Sequence, residues 1–194
     1  STMNKEEMLK PEIDMIQNEK YKDNLKILIN SIPDYFFEIP ASSTGKYHPE
    51  FSAGPQGLLR HTKVATRIAN ELLSLECYQN MFTKDEQDLL KIAVIMHDTL
   101  KCGEVKEQYT RFDHPLLSAN NIKKHQQETT FTDDEIKFLT DAISSHMGQW
   151  NTNQYSNIIL PKPETKYQIF VHTCDFLSSK KFLNVKFDNN NNIL

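Results

Sequence analysis

With 194 residues, 38% of them hydrophobic and 25% charged, the chain has the make-up of one globular domain with a sizeable core, and five glycines and eight prolines exclude a fibrous or low-complexity class. A net charge of −4 excludes a broad, non-specific nucleic-acid surface, so long duplex DNA is not an expected partner, while a local cationic pocket stays open. Cys77, Cys102 and Cys174 form no CxxC pair and read as reduced thiols, and no apolar run reaches membrane-span or signal-peptide length, so a cytoplasmic protein with no membrane partner is expected.

Helical periodicity dominates the chain and strand signals are scarce. Between Lys5 and Ile32, Met8, Ile13, Ile16, Leu25, Leu28 and Ile29 recur irregularly around Pro11, which predicts one or two amphipathic helices. A long non-helical stretch follows, with Pro33, Pro40, Pro49 and Pro55. Its aromatics Tyr35, Phe36, Phe37, Tyr47 and Phe51 favour an ordered loop packed on the domain. Val64, Ile68, Leu72 and Leu75 line one face of a helix expected over Leu58–Leu75. In "FTKDEQ", Thr83 and Glu86 have the spacing of a capping box, opening a helix from Asp85 to about Cys102 that turns apolar on nearly all sides and should be central. Thr132 and Glu135 repeat that grammar before a helix carrying "DAISS". Further helices are expected over Pro115–His125 and Thr165–Lys181. The expectation is a single all-α domain, with residues 1–45 as an N-terminal helical segment and loop, 46–184 as the main body, and 185–194 as a mobile polar tail.

The central helix ends in an unexpected way for a buried segment: "AVIMHDTLKCG" carries His97, Asp98 and, one turn later, Lys101. His61 lies in the first turn of the Leu58 helix, His114 stands where a helix should begin, His146 ends the "DAISS" helix, and Asp175 sits among apolar residues. A carboxylate in apolar surroundings must be neutralised, paired or bound to a metal. Two carboxylates and several imidazoles without matching Arg or Lys suggest cations, and imidazole with carboxylate suits Mn, Fe, Zn, Co or Ni better than Ca or Mg. Any one of these histidines taken singly reads as a hydrogen-bonded core residue. Lys101 reads equally as a helix-capping lysine or a phosphate contact.

The ordered set His61, His97-Asp98, His114, His146 and Asp175 resembles the two-metal branch of the HD-domain metal-dependent phosphohydrolases over roughly residues 46–181. Lys101 matches the lysine often found three residues after the family's Asp. "DHPLLSAN" and "HTCDFLSSKK" are similar to segments of HD proteins related to the HD part of 3′→5′ exoribonucleases and to stand-alone HD hydrolases of phages and bacteria. The resemblance implies an all-α HD-type fold in which His61, His97, Asp98 and Asp175 hold a first divalent transition metal. Asp98 would bridge to a second, held also by His114 and His146. Where several two-metal relatives carry another histidine after the His146 position, this chain has Met147, so the second ion would have fewer protein ligands.

The activity so implied is hydrolysis of a phosphate ester by a metal-activated water, with Asp98 and Lys101 as the catalytic residues. Substrate contacts are expected from Lys46 and His48, otherwise plain loop residues, and from Gln149, Trp150 and His172. The indole of Trp150 could stack on a base or simply pack in the core. Without an added OB-type domain, a nucleotide or short oligonucleotide is the expected partner. A single-strand 3′–5′ exonuclease and a non-catalytic metal-binding nucleotide sensor are the alternatives, and a homo-oligomer is compatible with the sequence.

Overall fold

The computed structural model describes residues 2–46 and 48–194, so Tyr47 lies outside the described residues. The described chain is all helical, with one isolated antiparallel bridge between Phe187 and Ile193. Two short helices, α1 (Lys5–Met8) and α2 (Lys10–Ile13), precede α3 (Glu19–Asn30). The expected one or two helices are therefore three. Pro11 in the first turn of α2 has no N–H to continue α1, and Asn18 caps α3 by accepting from the Tyr21 N–H at 3.1 Å.

Two 3₁₀ turns, Asp34–Phe37 and Glu50–Ser52, punctuate the proline-rich stretch that follows, and Tyr35, Phe36 and Phe37 are buried. This stretch enters α4 (Gly57–Leu73) through a close backbone approach. A Cβ on Gly57 would lie 2.0 Å from the Ser52 carbonyl oxygen, so only glycine fits. Short α5 (Glu76–Met81) leads to α6 (Lys84–Met96), whose residues from Asp88 onward are all buried. The expected capping box is present: the Glu86 N–H donates to Thr83 Oγ1 at 3.1 Å and the Thr83 N–H to Glu86 Oε1 at 2.8 Å. Next come α7 (His114–Lys124), α8 (Asp133–Ser144, boxed by Thr132 and Glu135) and α9 (Lys166–Ser178, boxed by Thr165 and Gln168).

Helix α6 is the axis of the fold, with α4, α8 and α9 packed around it and α7 against α8. One hydrophobic core runs from Leu9 and Leu25 through Phe36, Leu90 and Ile95 to Phe170, which joins the N-terminal helices to the rest as one body. Buried polar groups pin that junction. Asp88 accepts from the Gln17 and Asn18 N–H groups at 3.1 and 2.8 Å, and Lys91 Nζ donates to Met15 O at 2.9 Å. Lys63 and Glu12 form a buried ion pair at 2.7 Å.

Several boundaries differ from expectation. α4 ends at Leu73 instead of Leu75, which leaves Leu75 outside the helix and 50% exposed. α6 stops at Met96 instead of reaching Cys102, because distant acceptors capture the backbone beyond it: the Leu100 N–H donates to Ser118 Oγ at 3.2 Å and the Cys102 N–H to Tyr35 Oη at 3.0 Å. α9 stops at Ser178 instead of Lys181, where the Ser178 and Ser179 hydroxyls bond back to Asp175 O and Phe176 O at 2.7 and 2.8 Å. Residues 185–194, expected as a mobile tail, fold back on themselves. The Leu194 N–H donates to Lys186 O at 2.9 Å, and Asn191 Nδ2 donates to Gln56 Oε1 at 2.7 Å just before α4.

Candidate metal centre

Five helices deliver the polar side chains to one interior place. His61 sits one turn into α4, which Gly57 seats against the Ser52 backbone. His97 caps the C-terminus of α6 and Asp98 follows it. His114 is the first residue of α7, His146 lies two residues past α8, and Asp175 is in the last turn of α9. His61, His97, Asp98, His114 and His146 are buried, whereas the Asp175 side chain keeps 21% exposure and so marks the open side. Partial negative charge at the end of α6 adds to the attraction for cations.

Asp98 is the hinge of the arrangement. Its Oδ2 lies 3.4 Å from His61 Nε2 and 3.3 Å from His97 Nε2; its Oδ1 lies 3.2 Å from His114 Nε2 and 3.3 Å from His146 Nε2. Asp175 Oδ1 closes the first group at 3.0 Å from His61 Nε2 and 3.1 Å from His97 Nε2. Two groups could therefore each hold a metal ion: His61, His97, Asp98 and Asp175, and Asp98, His114 and His146, with the ligand atoms of each within 4.8 Å of one another.

The far sides of the rings say which nitrogens are bare. Nδ1 of His97 meets Val94 O, Nδ1 of His114 meets Arg111 O at 2.6 Å, and Nδ1 of His146 meets Ile143 O at 2.8 Å. A carbonyl only accepts, so each Nδ1 carries the proton, and in the neutral ring Nε2 presents a lone pair to the carboxylates. Such backbone bonds set the tautomer and aim of metal-ligating histidines. His61 Nδ1 has Ser178 Oγ at 3.4 Å.

The electrostatics are lopsided without a cation. Burial, joined by the Lys101 ammonium, pushes the His114 imidazole down to about 4, so at neutral pH its Nε2 is unprotonated. That atom and Asp98 Oδ1 are both buried without a hydrogen-bond partner while facing each other, two lone-pair-bearing atoms held together. Burial opposes ionisation of Asp98 and Asp175, yet the neighbouring His97 and the other imidazoles, with Lys101 beside Asp98, hold both well below the usual carboxylate range. His97 is disfavoured as a cation by burial but lifted by the same carboxylates. Divalent cations between bare imidazole nitrogens and ionised carboxylates resolve the mismatch at His114, so the donor set fits the metals that the sequence suggested.

The remaining expected residues fall into two sets. Lys101 Nζ stands 3.5 Å from Asp98 Oδ2 at the rim, only 13% exposed. His48 sets its ring 5.9 Å from that of His61, and His172 donates from Nδ1 to His146 O at 2.7 Å. Trp150 lies beside His172 and is half exposed instead of packed in the core. Lys46, two residues from His48, and Gln149, three from His146, are exposed. Sequence reasoning missed Ser178 behind His61 and Tyr35, whose hydroxyl donates to Gly103 O at 2.6 Å and so braces the segment after Asp98. Only the position of Ser178, one turn after Asp175, could have flagged it; nothing local marks Tyr35. Compared with family models, curated proteins and solved structures, the chain matches none.

Proposed function

We propose that the chain is a metal-dependent phosphohydrolase or phosphodiesterase of the HD-domain kind, cleaving a phosphate ester of a nucleotide or short oligonucleotide. The observation that carries this reading is the division of Asp98: each carboxylate oxygen faces two buried imidazole nitrogens, so that one residue could serve two adjacent ion groups. The ordered set of residues that resembles the HD family supplies the rest of the support. Mn, Fe, Co, Ni or Zn suit the nitrogen and oxygen donors, and paired ions of this kind supply Lewis acidity, drawing the pKa of water toward neutrality and offsetting charge on phosphoryl oxygens.

The side chains provide the setting for that chemistry. The carbonyls of Val94, Arg111 and Ile143 hold three imidazoles in one tautomer and one orientation. Lys101 keeps an ammonium at the rim beside Asp98, where it can meet a phosphoryl oxygen and offset charge as the ester breaks. His48 sets its ring beside that of His61, where it can contact the ester, and of the six grouped side chains only Asp175 keeps appreciable exposure.

The test is hydrolysis of bis-p-nitrophenyl phosphate by protein loaded with each metal in turn, alongside metal analysis. Lys101→Met should retain the metal and lose about 10²-fold in kcat, the scale for removal of one charge-stabilising donor. Loaded protein that hydrolyses neither this ester nor any nucleotide, yet keeps its ions, refutes the enzymatic reading in favour of a sensor.

A further inference from the structure

Immediately past His146 the chain makes a turn that no ion ligand requires. Gly148 adopts a left-handed backbone at φ +64°, and a Cβ there would fall 2.2 to 2.7 Å from the His172 ring. The bare glycine thus lets His172 pack onto the turn, and the ring's bond to His146 O ties the turn to α9. Two residues on, the indole of Trp150 stacks on Phe176, with planes 12° apart and centroids separated by 5.8 Å. Lys180 places its ammonium 4.0 Å from the centroid of Phe176. Trp150 nevertheless remains 50% exposed. Phe176 lies against the indole on one side, and half of the residue's surface stays open to a ligand.

A large aromatic held this firmly and left half in water forfeits apolar burial, which points to a ligand that completes it. Its location narrows the ligand. Phe176 directly follows Asp175 and Trp150 stands four residues after His146, so the stacked pair is carried by the same backbone as ligands of both ion groups. Asp175, the one partly exposed member of those groups, lies on the same turn of α9 as Phe176. A half-open π surface, on the turn that follows one ligand of the ion groups and stacked on the neighbour of another, matches a planar base joined to a phosphate.

We propose that Trp150, backed by Phe176 and fixed through His172 on Gly148, is the platform on which the base of a nucleotide stacks while its phosphate meets the ion cluster. The proposal rests on the phosphohydrolase reading for the position of the phosphate, and it makes base-bearing esters the substrate class in preference to sugar phosphates.

Because Trp150 is the only tryptophan of the chain, its fluorescence reports on this surface alone. The protein at fixed Zn²⁺ is titrated with adenosine 5′-monophosphate and, separately, with ribose 5-phosphate, which carries the same phosphate without a base. Saturable quenching by the nucleotide, with ribose 5-phosphate silent, is the expected result. Phe176→Leu keeps the reporter while removing its backing and should weaken nucleotide affinity about tenfold; circular dichroism and melting check that this variant folds. Quenching by both ligands alike, by neither, or with undiminished affinity in Phe176→Leu overturns the platform. Protein that binds metal and cleaves a generic phosphodiester without showing base-dependent quenching loses this inference and keeps the phosphohydrolase reading. Base-dependent quenching in protein that cleaves no ester does the reverse.

Discussion

Because Asp98 contributes to both ion groups while every other ligand serves one, single substitutions should have unequal effects on metal content. Asp98→Ala removes an oxygen from each group and should abolish binding at both. Asp175→Ala should remove only the ion held with His61 and His97, and His114→Ala only the ion held with His146. The thermal consequence follows from linkage: a ligand at 100 times its dissociation constant stabilises the native state by about 2.7 kcal/mol per site. For a domain of this size each kcal/mol moves Tm by about 2–4 °C. The wild-type protein should therefore melt roughly 10–20 °C higher with both sites saturated at that level than after chelation. His114→Ala and Asp175→Ala should retain about half of that rise, and Asp98→Ala none. Differential scanning fluorimetry with and without Mn²⁺, together with elemental analysis of dialysed protein, reads both quantities. Two ions bound per chain in Asp98→Ala, or a wild-type melting curve indifferent to every transition metal, refutes the bridging role and the centre built on it.

Three further outcomes test the scaffold that holds this centre. Gly57→Ala, which in an open helix would be favourable, forces a Cβ to within 2.0 Å of the Ser52 carbonyl oxygen and should cost about 1–3 kcal/mol in urea unfolding; unchanged stability would show that the Ser52 turn can yield. Burial raises the Glu12 carboxyl despite its 2.7 Å pair with Lys63, so desolvation outweighs the attraction there. Lys63→Met alone should destabilise by about 3–5 kcal/mol, and adding Glu12→Leu should restore most of the loss. The third concerns acid. Burial raises Glu135, but the Thr132 N–H and the Tyr21 hydroxyl outweigh it and leave this carboxyl below its ordinary value. A depressed native pKa contributes stability that is complete above the unfolded value of about 4.3 and is lost as pH falls through the native one, so Tyr21→Phe should flatten the acid limb of a melting-temperature profile and leave the neutral region nearly parallel.

The amino-acid sequence determined by itself what depends on neighbours a few positions apart. The helical class follows from apolar spacing, and the capping boxes at Thr83 and Thr132 appear where threonine and glutamate stand three apart, because both partners of those bonds lie in one turn. The candidate ligands stood out because imidazoles and carboxylates in apolar company demand compensation, but their assignment to two ion groups rested on the resemblance of the ordered set to the HD family. The third box, Thr165 with Gln168, obeys the same local rule.

Only the tertiary structure decided what depends on groups far apart along the chain. The end of α6 at Met96 was invisible locally, since Ser118 and Tyr35, which take the Leu100 and Cys102 N–H groups, come from α7 and from a distant loop. The folding back of residues 185–194 onto Gln56, the division of Asp98's two oxygens between two groups, and the seating of His172 on Gly148 likewise arise from packing between separate elements. Periodicity and capping are set within about four residues, whereas the aim of a side chain across a core is set by how helices pack against one another, and no window of sequence contains that.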